Sequence, residues 1–211
     1  MASPITASEQ ASSSPVFAAS PWRQEPPADL TTDIACFGTV SLALEPGASR
    51  YATLLKNLHQ DGTFIALDPN IRPFYATKAH SDFLYSLLPS VDLLKLSDEE
   101  EEFLDHPEAP IKVITCGPDG LIVHFNGQTI EVNAPAIEVA DTIGAGDTVI
   151  GCLLAEIHRR TGGKNVRSKT MEFVGEDWAE IASYAARAAA VTCTRVGANS
   201  PTRAEMEQLP E

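Results

Sequence analysis

Four short, largely apolar runs punctuate the first part of this chain: Ile34–Gly38, residues 63–67, residues 91–96 and Ile111–Thr115. Each has strand length and lacks strict alternation, the pattern of a strand buried on both faces. The segments between them carry helical periodicity instead. A helix begins at Ser49, sets Tyr51, Leu54, Leu55 and Leu58 on one face and ends at Gly62. A second presents Phe83, Leu84, Leu87 and Leu88 and stops at Pro89. A third opens at Ser97, with Glu100 three residues on, the spacing of a capping box. Strands separated by helices require crossover connections, so the pattern predicts an α/β fold with a mainly parallel sheet covered on both faces. Residues 121–125 and 129–132 flank Asn126-Gly127, a hairpin signal. Residues 161–175 read as a polar loop, and a last helix over 178–194 turns Ile181, Ala182, Ala185 and Ala189 inward. Residues 195–201 read as a terminal loop, after which Thr202 caps a short closing helix. No fixed-period repeat is visible.

The stretch Asp141-Thr142-Ile143-Gly144-Ala145-Gly146-Asp147 constrains function most. It follows a strand-like run at 136–139 and leads into a helix with Ile150, Leu153, Leu154 and Ile157 on one face. Gly144 and Gly146 permit unusual backbone angles and close approach of a ligand. The free N–H groups of a first helical turn, with the helix dipole, form an anion site. Asp147, beside such a site, can take the proton of an alcohol that attacks a phosphoryl group. The simpler reading is an acid favoured by the dipole next to glycines needed for a tight turn.

Composition narrows the partners. A net charge of −14 argues against general binding to nucleic acid or to an anionic membrane, and no apolar run reaches membrane-spanning length. Cys36, Cys116, Cys152 and Cys193 show no metal-ligand spacing; Cys36, Cys116 and Cys193 sit in apolar or small-residue segments. Reduced core thiols and a cytoplasmic setting are therefore expected. Residues 1–32 are rich in Ala, Ser and Pro and lack a signal-peptide core, so they read as a disordered leader, with a transit peptide as the alternative.

The seven-residue stretch resembles the signature of the ribokinase-type (PfkB) sugar kinases, and companion stretches are similar to its fructokinase-like branch. These companions are residues 37–47, Asp68-Pro69-Asn70-Ile71-Arg72-Pro73, and Lys95-Leu96-Ser97-Asp98-Glu99-Glu100. The resemblance covers residues 33–211 and implies a three-layer, ribokinase-like sandwich that phosphorylates a sugar hydroxyl with ATP. It makes Asp147 the base and the Gly144, Ala145 and Gly146 amides the anion hole. It assigns Asn70 and Arg72 to sugar and phosphates, although an Arg in a surface salt bridge is the plain alternative. Thr115, Gly117 and Gly120 match a nucleotide loop, where the glycines could equally serve a turn, and Gly197 and Asn199 match the loop closing the adenine side. Glu100 matches an acid that organises Mg²⁺ through water, with Ser97 standing where the family has Asn; helix capping alone is the competing role. Asp141 and Ile143 match a monovalent-cation loop, for K⁺. The implied partners are ATP and a small sugar, fructose first, without nucleic acid or membrane; a homodimer is allowed.

One departure is large. The family's sugar-binding strand, Gly-Gly segment and small lid sheet are not recognisable before Asp33, so the expected domain is N-terminally truncated. Positioning and water exclusion carry this type of catalysis. A nucleotide-binding unit without phosphoryl transfer is therefore the alternative function. A dinucleotide-binding domain is disfavoured, because the turn after the first strand has one Gly where that fingerprint needs three.

Overall fold

The computed structural model describes residues 30–208, so the 1–32 leader falls almost wholly outside the described residues. Six strands form one sheet in the order of the chain: β1 (Ile34–Gly38), β2 (Phe64–Asp68), β3 (Leu93–Ser97), β4 (Ile111–Thr115), β5 (Leu121–Phe125) and β6 (Gln128–Val132). β1 to β4 are parallel, and β5 and β6 are antiparallel. The helices are α1 (Gly47–Gln60), α2 (Lys78–Tyr85), α3 (Asp98–Phe103), α4 (Ala145–Thr161), α5 (Val166–Met171), α6 (Gly175–Cys193) and α7 (Arg203–Glu207). This is the α/β layering that the strand–helix alternation implies, and it agrees with the ribokinase-like fold that the resemblance implies.

Strand parity explains the two cores. Phe64, Ala66, Leu93, Ile111 and Val113 point to one side and pack with Leu153 and Ile157 of α4 and Trp178, Ile181 and Ala185 of α6. Their neighbours Ile65, Leu67, Leu94 and Leu96 point to the other and meet Ala52, Leu55 and Leu58 of α1 and Leu84 of α2. Because helices cover both faces, the inner strands β2 and β3 are apolar almost throughout. The small residues Ala182, Ala185 and Ala186 of α6 are buried and bring that helix close to the sheet and α4.

Several expectations needed correction. α1 starts at Gly47, after a 3₁₀ turn over Thr39–Leu42, and its buried stripe is Ala48, Ala52, Leu55 and Leu58, with Tyr51 and Leu54 at the margin. Leu87 and Leu88 lie past the end of α2. Residues 161–175 contain α5, which Val166 anchors in the core and whose Arg167 reaches Asp92 and the carbonyls of His59 and Thr63. These long-range partners stabilise a helix too short to be read from its own periodicity. The run at 136–139 is no strand: Ile137 and Val139 are exposed, and the chain is fastened instead by the Ala140 and Asp141 amides, which donate to the Cys193 carbonyl. The thiols are free, but the three expected in the core are not buried: Cys36 is exposed and Cys116 and Cys193 are half-buried, while the half-buried Cys152 packs against the core. Cys36 lies on β1, which among the described residues has a neighbour strand on one side only.

Candidate active site

The carboxyl ends of the parallel strands and the start of α4 enclose a cleft of about 640 Å³. In open α/β sheets ligands bind outside this end of the strands. One wall is the turn before α4. Gly144 caps the helix at φ 82°, a left-handed conformation, and a Cβ there would lie 2.9 Å from the Cβ of Ala198. Glycine is thus required both by backbone angle and by close approach. The hydroxyl of Thr148 donates to the Gly144 carbonyl at 2.8 Å and meets the hydroxyls of Thr192 and Ser200 at 2.9 and 2.6 Å. This network fixes the turn to the end of α6 and to the loop that precedes α7.

The amides of the turn are not equivalent. That of Ala145 donates to the Thr142 carbonyl at 3.2 Å. Those of Gly144, Gly146 and Asp147 have no acceptor among the described residues. The open donors thus include two of the expected three, Gly144 and Gly146, with Asp147 open in addition and Ala145 engaged. The carboxylate-bearing Asp147 is exposed and lines the cleft, as do Gly144 and Gly146.

The facing wall is the loop after β2. Asn70 adopts φ 47°, and its carbonyl accepts from the Tyr75 hydroxyl at 2.5 Å. Arg72 is exposed to the cleft and makes no ion pair among the described residues, so the surface salt bridge is not formed. Glu100 holds this wall in place. One carboxylate oxygen accepts from the Ser97 amide at 2.8 Å, completing the capping box, and the other accepts from the Ile71 amide. The cap and the loop are therefore coupled through one buried side chain.

Two groups that the companion stretches contain but to which no role was assigned are Lys95, in the cleft wall, and its partner Asp68. Both are buried, and the Lys95 ammonium donates to an Asp68 carboxylate oxygen at 3.2 Å. Burial pushes the Asp68 carboxyl up to about 6 against the pull of Lys95. Lys95 lines the cleft, and its Nζ lies 3.0 Å from where a Cβ on Gly146 would stand. A lysine amid the leucines of a doubly covered strand was the available signal, since a buried charge needs a partner or a purpose.

The remaining nominees divide. Thr115 lines the cleft, its hydroxyl donating to the Leu96 carbonyl at 3.3 Å. Gly117, Gly120, Gly197 and Asn199 do not line it. A side chain on Gly120 would meet the Val132 carbonyl at 2.0 Å, so packing of the hairpin accounts for that glycine. Asp141 is also outside the cleft. Its two oxygens accept from the Ile143 and Gly197 amides at 3.0 and 2.9 Å, and those bonds hold its carboxyl below the usual range. Asp141 thus ties the 197–199 loop to the turn.

The sequence model for pfkB family carbohydrate kinases matches residues 31–205. Probable fructokinase-2 of Arabidopsis thaliana is 25% identical over 189 residues, covering 82% of this chain and 55% of that protein. The fructokinase of Solanum tuberosum is 27% identical over 184 residues, covering 82% of this chain and 54% of its own length. The chain thus spans about half the length of these curated relatives. Among solved structures, the ATP-bound fructokinase of Xylella fastidiosa superposes with a TM-score of 0.71 at 20% identity, over 79% of this chain and 56% of that one. The fructokinase of Vibrio cholerae O395 with fructose, ADP and calcium gives 0.69 at 21% identity, over 86% and 61%.

Proposed function

The chain belongs to the pfkB family of carbohydrate kinases, and from that premise we propose that its cleft transfers the terminal phosphoryl group of ATP to a sugar hydroxyl. Fructose is the first candidate acceptor, because fructokinases recur among the relatives. One observation carries this reading: Asp147 and the unpaired amides of Gly144 and Gly146 share a single cleft with Asn70 and Arg72.

The sugar hydroxyl gives its proton to Asp147 as its oxygen bonds to the γ-phosphorus; the bond from that phosphorus to the β-bridging oxygen breaks, and ADP departs. The open amides and the positive end of α4 oppose the negative charge on the transferred group. The fork of Arg72 suits the phosphate oxygens, and Asn70 faces the same space. Thr115, in the cleft, is assigned to the nucleotide side; Gly197 and Asn199 lie outside the cleft wall, and only the family resemblance assigns them to the adenine side.

No trio of His, Cys, Asp and Glu among the described residues is gathered for a resident metal ion. Mg²⁺ fits differently, since it keeps several waters and binds mainly through phosphates plus a carboxylate. Glu100, in the cleft wall, is the residue that would hold it through water, and bound there it would neutralise phosphate charge. The ionised carboxylate of Asp141 suits K⁺ beside the turn. Free thiols agree with a cytoplasmic setting, and no helix among the described residues is long and apolar enough to cross a membrane.

Turnover of ATP with fructose, ribose and ketodeoxygluconate tests the reading against an Asp147→Ala control. Phosphorylated sugar from the parent chain, reduced at least about 10²-fold in the variant, supports it; turnover no higher than the control rejects it. The exposure of Asp147 favours one second reading, nucleotide binding without transfer, because water then reaches the base. Calorimetry showing ATP binding with no sugar phosphate formed would select that alternative.

A further inference from the structure

Two buried ion pairs are anchored on neighbouring strands, on opposite faces of the sheet, and they differ in what they face. Lys112 of β4 meets Glu101 of α3 at 2.9 Å. Its neighbours Ile111 and Val113 pack toward α4 and α6, so Lys112 points to the opposite layer, away from the cleft. Lys95 of β3 has the parity of Leu93, which puts it on the α4 side, as does the parity of Asp68 with Ala66. Both therefore point toward the layer whose helix begins at the Gly144 turn. The Lys95 ammonium has three donors, of which one is used, on Asp68 at 3.2 Å. The rest of that nine-tenths buried side chain has no acceptor among the described residues, yet it lines the cleft.

An ion pair of this kind is a poor stabiliser. Desolvating two charges costs several kcal/mol, and well-packed apolar residues often do as well or better. Here a second geometric fact suggests why the pair is kept. The ammonium lies 3.0 Å from where a Cβ on residue 146 would stand, so a side chain there would press on it, next to the residue whose amide is open. Glycine at 146 and lysine at 95 are thus two halves of one arrangement: the missing Cβ lets a full positive charge approach the anion hole from below.

We infer that Asp68 is a positioning residue that holds the Lys95 ammonium under the 144–147 turn, where Lys95 contacts the terminal phosphate of a bound nucleoside triphosphate. This rests on the phosphoryl-transfer reading above. Asp68 spans from β2 to β3 and limits the excursion of a flexible four-carbon stem, so the charge is in place before the phosphate arrives. Other charged or titratable groups bear on Asp68: Glu100 from α3, Asp147 from α4, Cys36 from β1 and Tyr75 from the loop after β2.

The test uses the full chain and four variants: Lys95→Met, Asp68→Asn, Asp68→Glu, and Lys112→Met as a purely structural comparison. ATP and AMP affinities are measured by calorimetry, kcat and KM from about pH 5 to pH 8, and melting temperature throughout. Lys95→Met is expected to weaken ATP about tenfold, leave AMP unchanged and lower kcat about 10²-fold. Asp68→Asn is expected to lower kcat about tenfold at unchanged sugar KM and to remove an ionisation near pH 6 from the acid limb, with Asp68→Glu restoring most of both. Lys112→Met should lower the melting temperature alone. The inference is overturned if Lys95→Met and Asp68→Asn behave like Lys112→Met, losing stability while keeping kcat, pH profile and the preference for ATP over AMP. If the parent chain binds ATP without transferring phosphate, the phosphoryl-transfer reading fails separately. In that case the ATP-over-AMP preference alone decides for or against the pair.

Discussion

Two capping boxes, Ser97 with Glu100 and Thr202 with Glu205, apply one local rule in two settings. In each the hydroxyl accepts from the amide three residues on, at 3.2 Å and 3.3 Å, and the carboxylate accepts from the cap's own amide at 2.8 Å. They part company at the second carboxylate oxygen. That of Glu100 is buried and receives the Ile71 amide from the loop after β2, so the box also shapes the cleft. That of Glu205 is exposed and meets the Arg195 guanidinium at 2.7 Å, so the box fastens α7 to the loop just before it. Local spacing makes a cap; the chain that arrives from elsewhere decides whether the cap does anything more.

The largest effect that would sharpen this contrast is Glu100→Ala. It removes the acceptor of two partly buried amides, and a loss of about 2–4 kcal/mol in urea unfolding is expected, with a rise in KM as the 68–73 loop loosens. If Glu100→Ala costs no more than Glu205→Ala, the contrast is broken. Ser97→Ala removes one capping bond and should cost about 1 kcal/mol, with Thr202→Ala at or below that value.

The pH dependence gives a third comparison, because two carboxyls are shifted in opposite directions. Asp68 in the folded chain has its pKa raised to about 6 from 3.8. The folded state therefore holds the proton more firmly than the unfolded one, and this contribution to stability is full below pH 3.8 and lost as the pH rises through about 6. Glu205 is lowered from 4.5 to about 2, first by the Thr202 amide, then by its hydroxyl and by Arg195. Its contribution is present above pH 4.5 and lost as the pH falls toward about 2. Urea midpoints across this range should show Asp68→Asn flattening the upper slope and Glu205→Gln flattening the lower one. The smallest effect is Arg195→Ala, which breaks a surface pair and should cost at most about 1 kcal/mol.

Much of this architecture was legible in advance because it depends on neighbours in the chain. The Asn126-Gly127 hairpin needs two residues at positive φ, and they stand at 48° and 72°. β1, β4 and β5 begin and end where their apolar runs do. The turn at Gly144 and the helix behind it follow from glycine and helical spacing. Other features were not legible because their cause lies far along the chain. α5 depends on Arg167 reaching partners around 59–63 and at Asp92. The run at 136–139 has strand composition but joins no strand among the described residues, the chain being fastened just after it by the Ala140 and Asp141 amides on the Cys193 carbonyl, so composition misleads there. Cys36 looks like a core thiol until β1 is seen to have, among the described residues, a neighbour strand on one side only.

The candidate site divides along the same line. Asp147 and the glycines of its turn could be named from spacing, and Glu100 as a helix cap, since a first helical turn presents them whatever else the fold does; Asn70 and Arg72 were named by the family resemblance, on a strand-end loop. Which amides stay open, the second bond of Glu100, and the Lys95–Asp68 pair beneath Gly146 were decided by tertiary structure. The sequence by itself determined periodicity, caps and turns, because these arise from contacts a few residues apart. Only folding could bring β2, β3 and the start of α4 to one point, and it is there that a buried charge acquires both its partner and the gap left by a missing side chain.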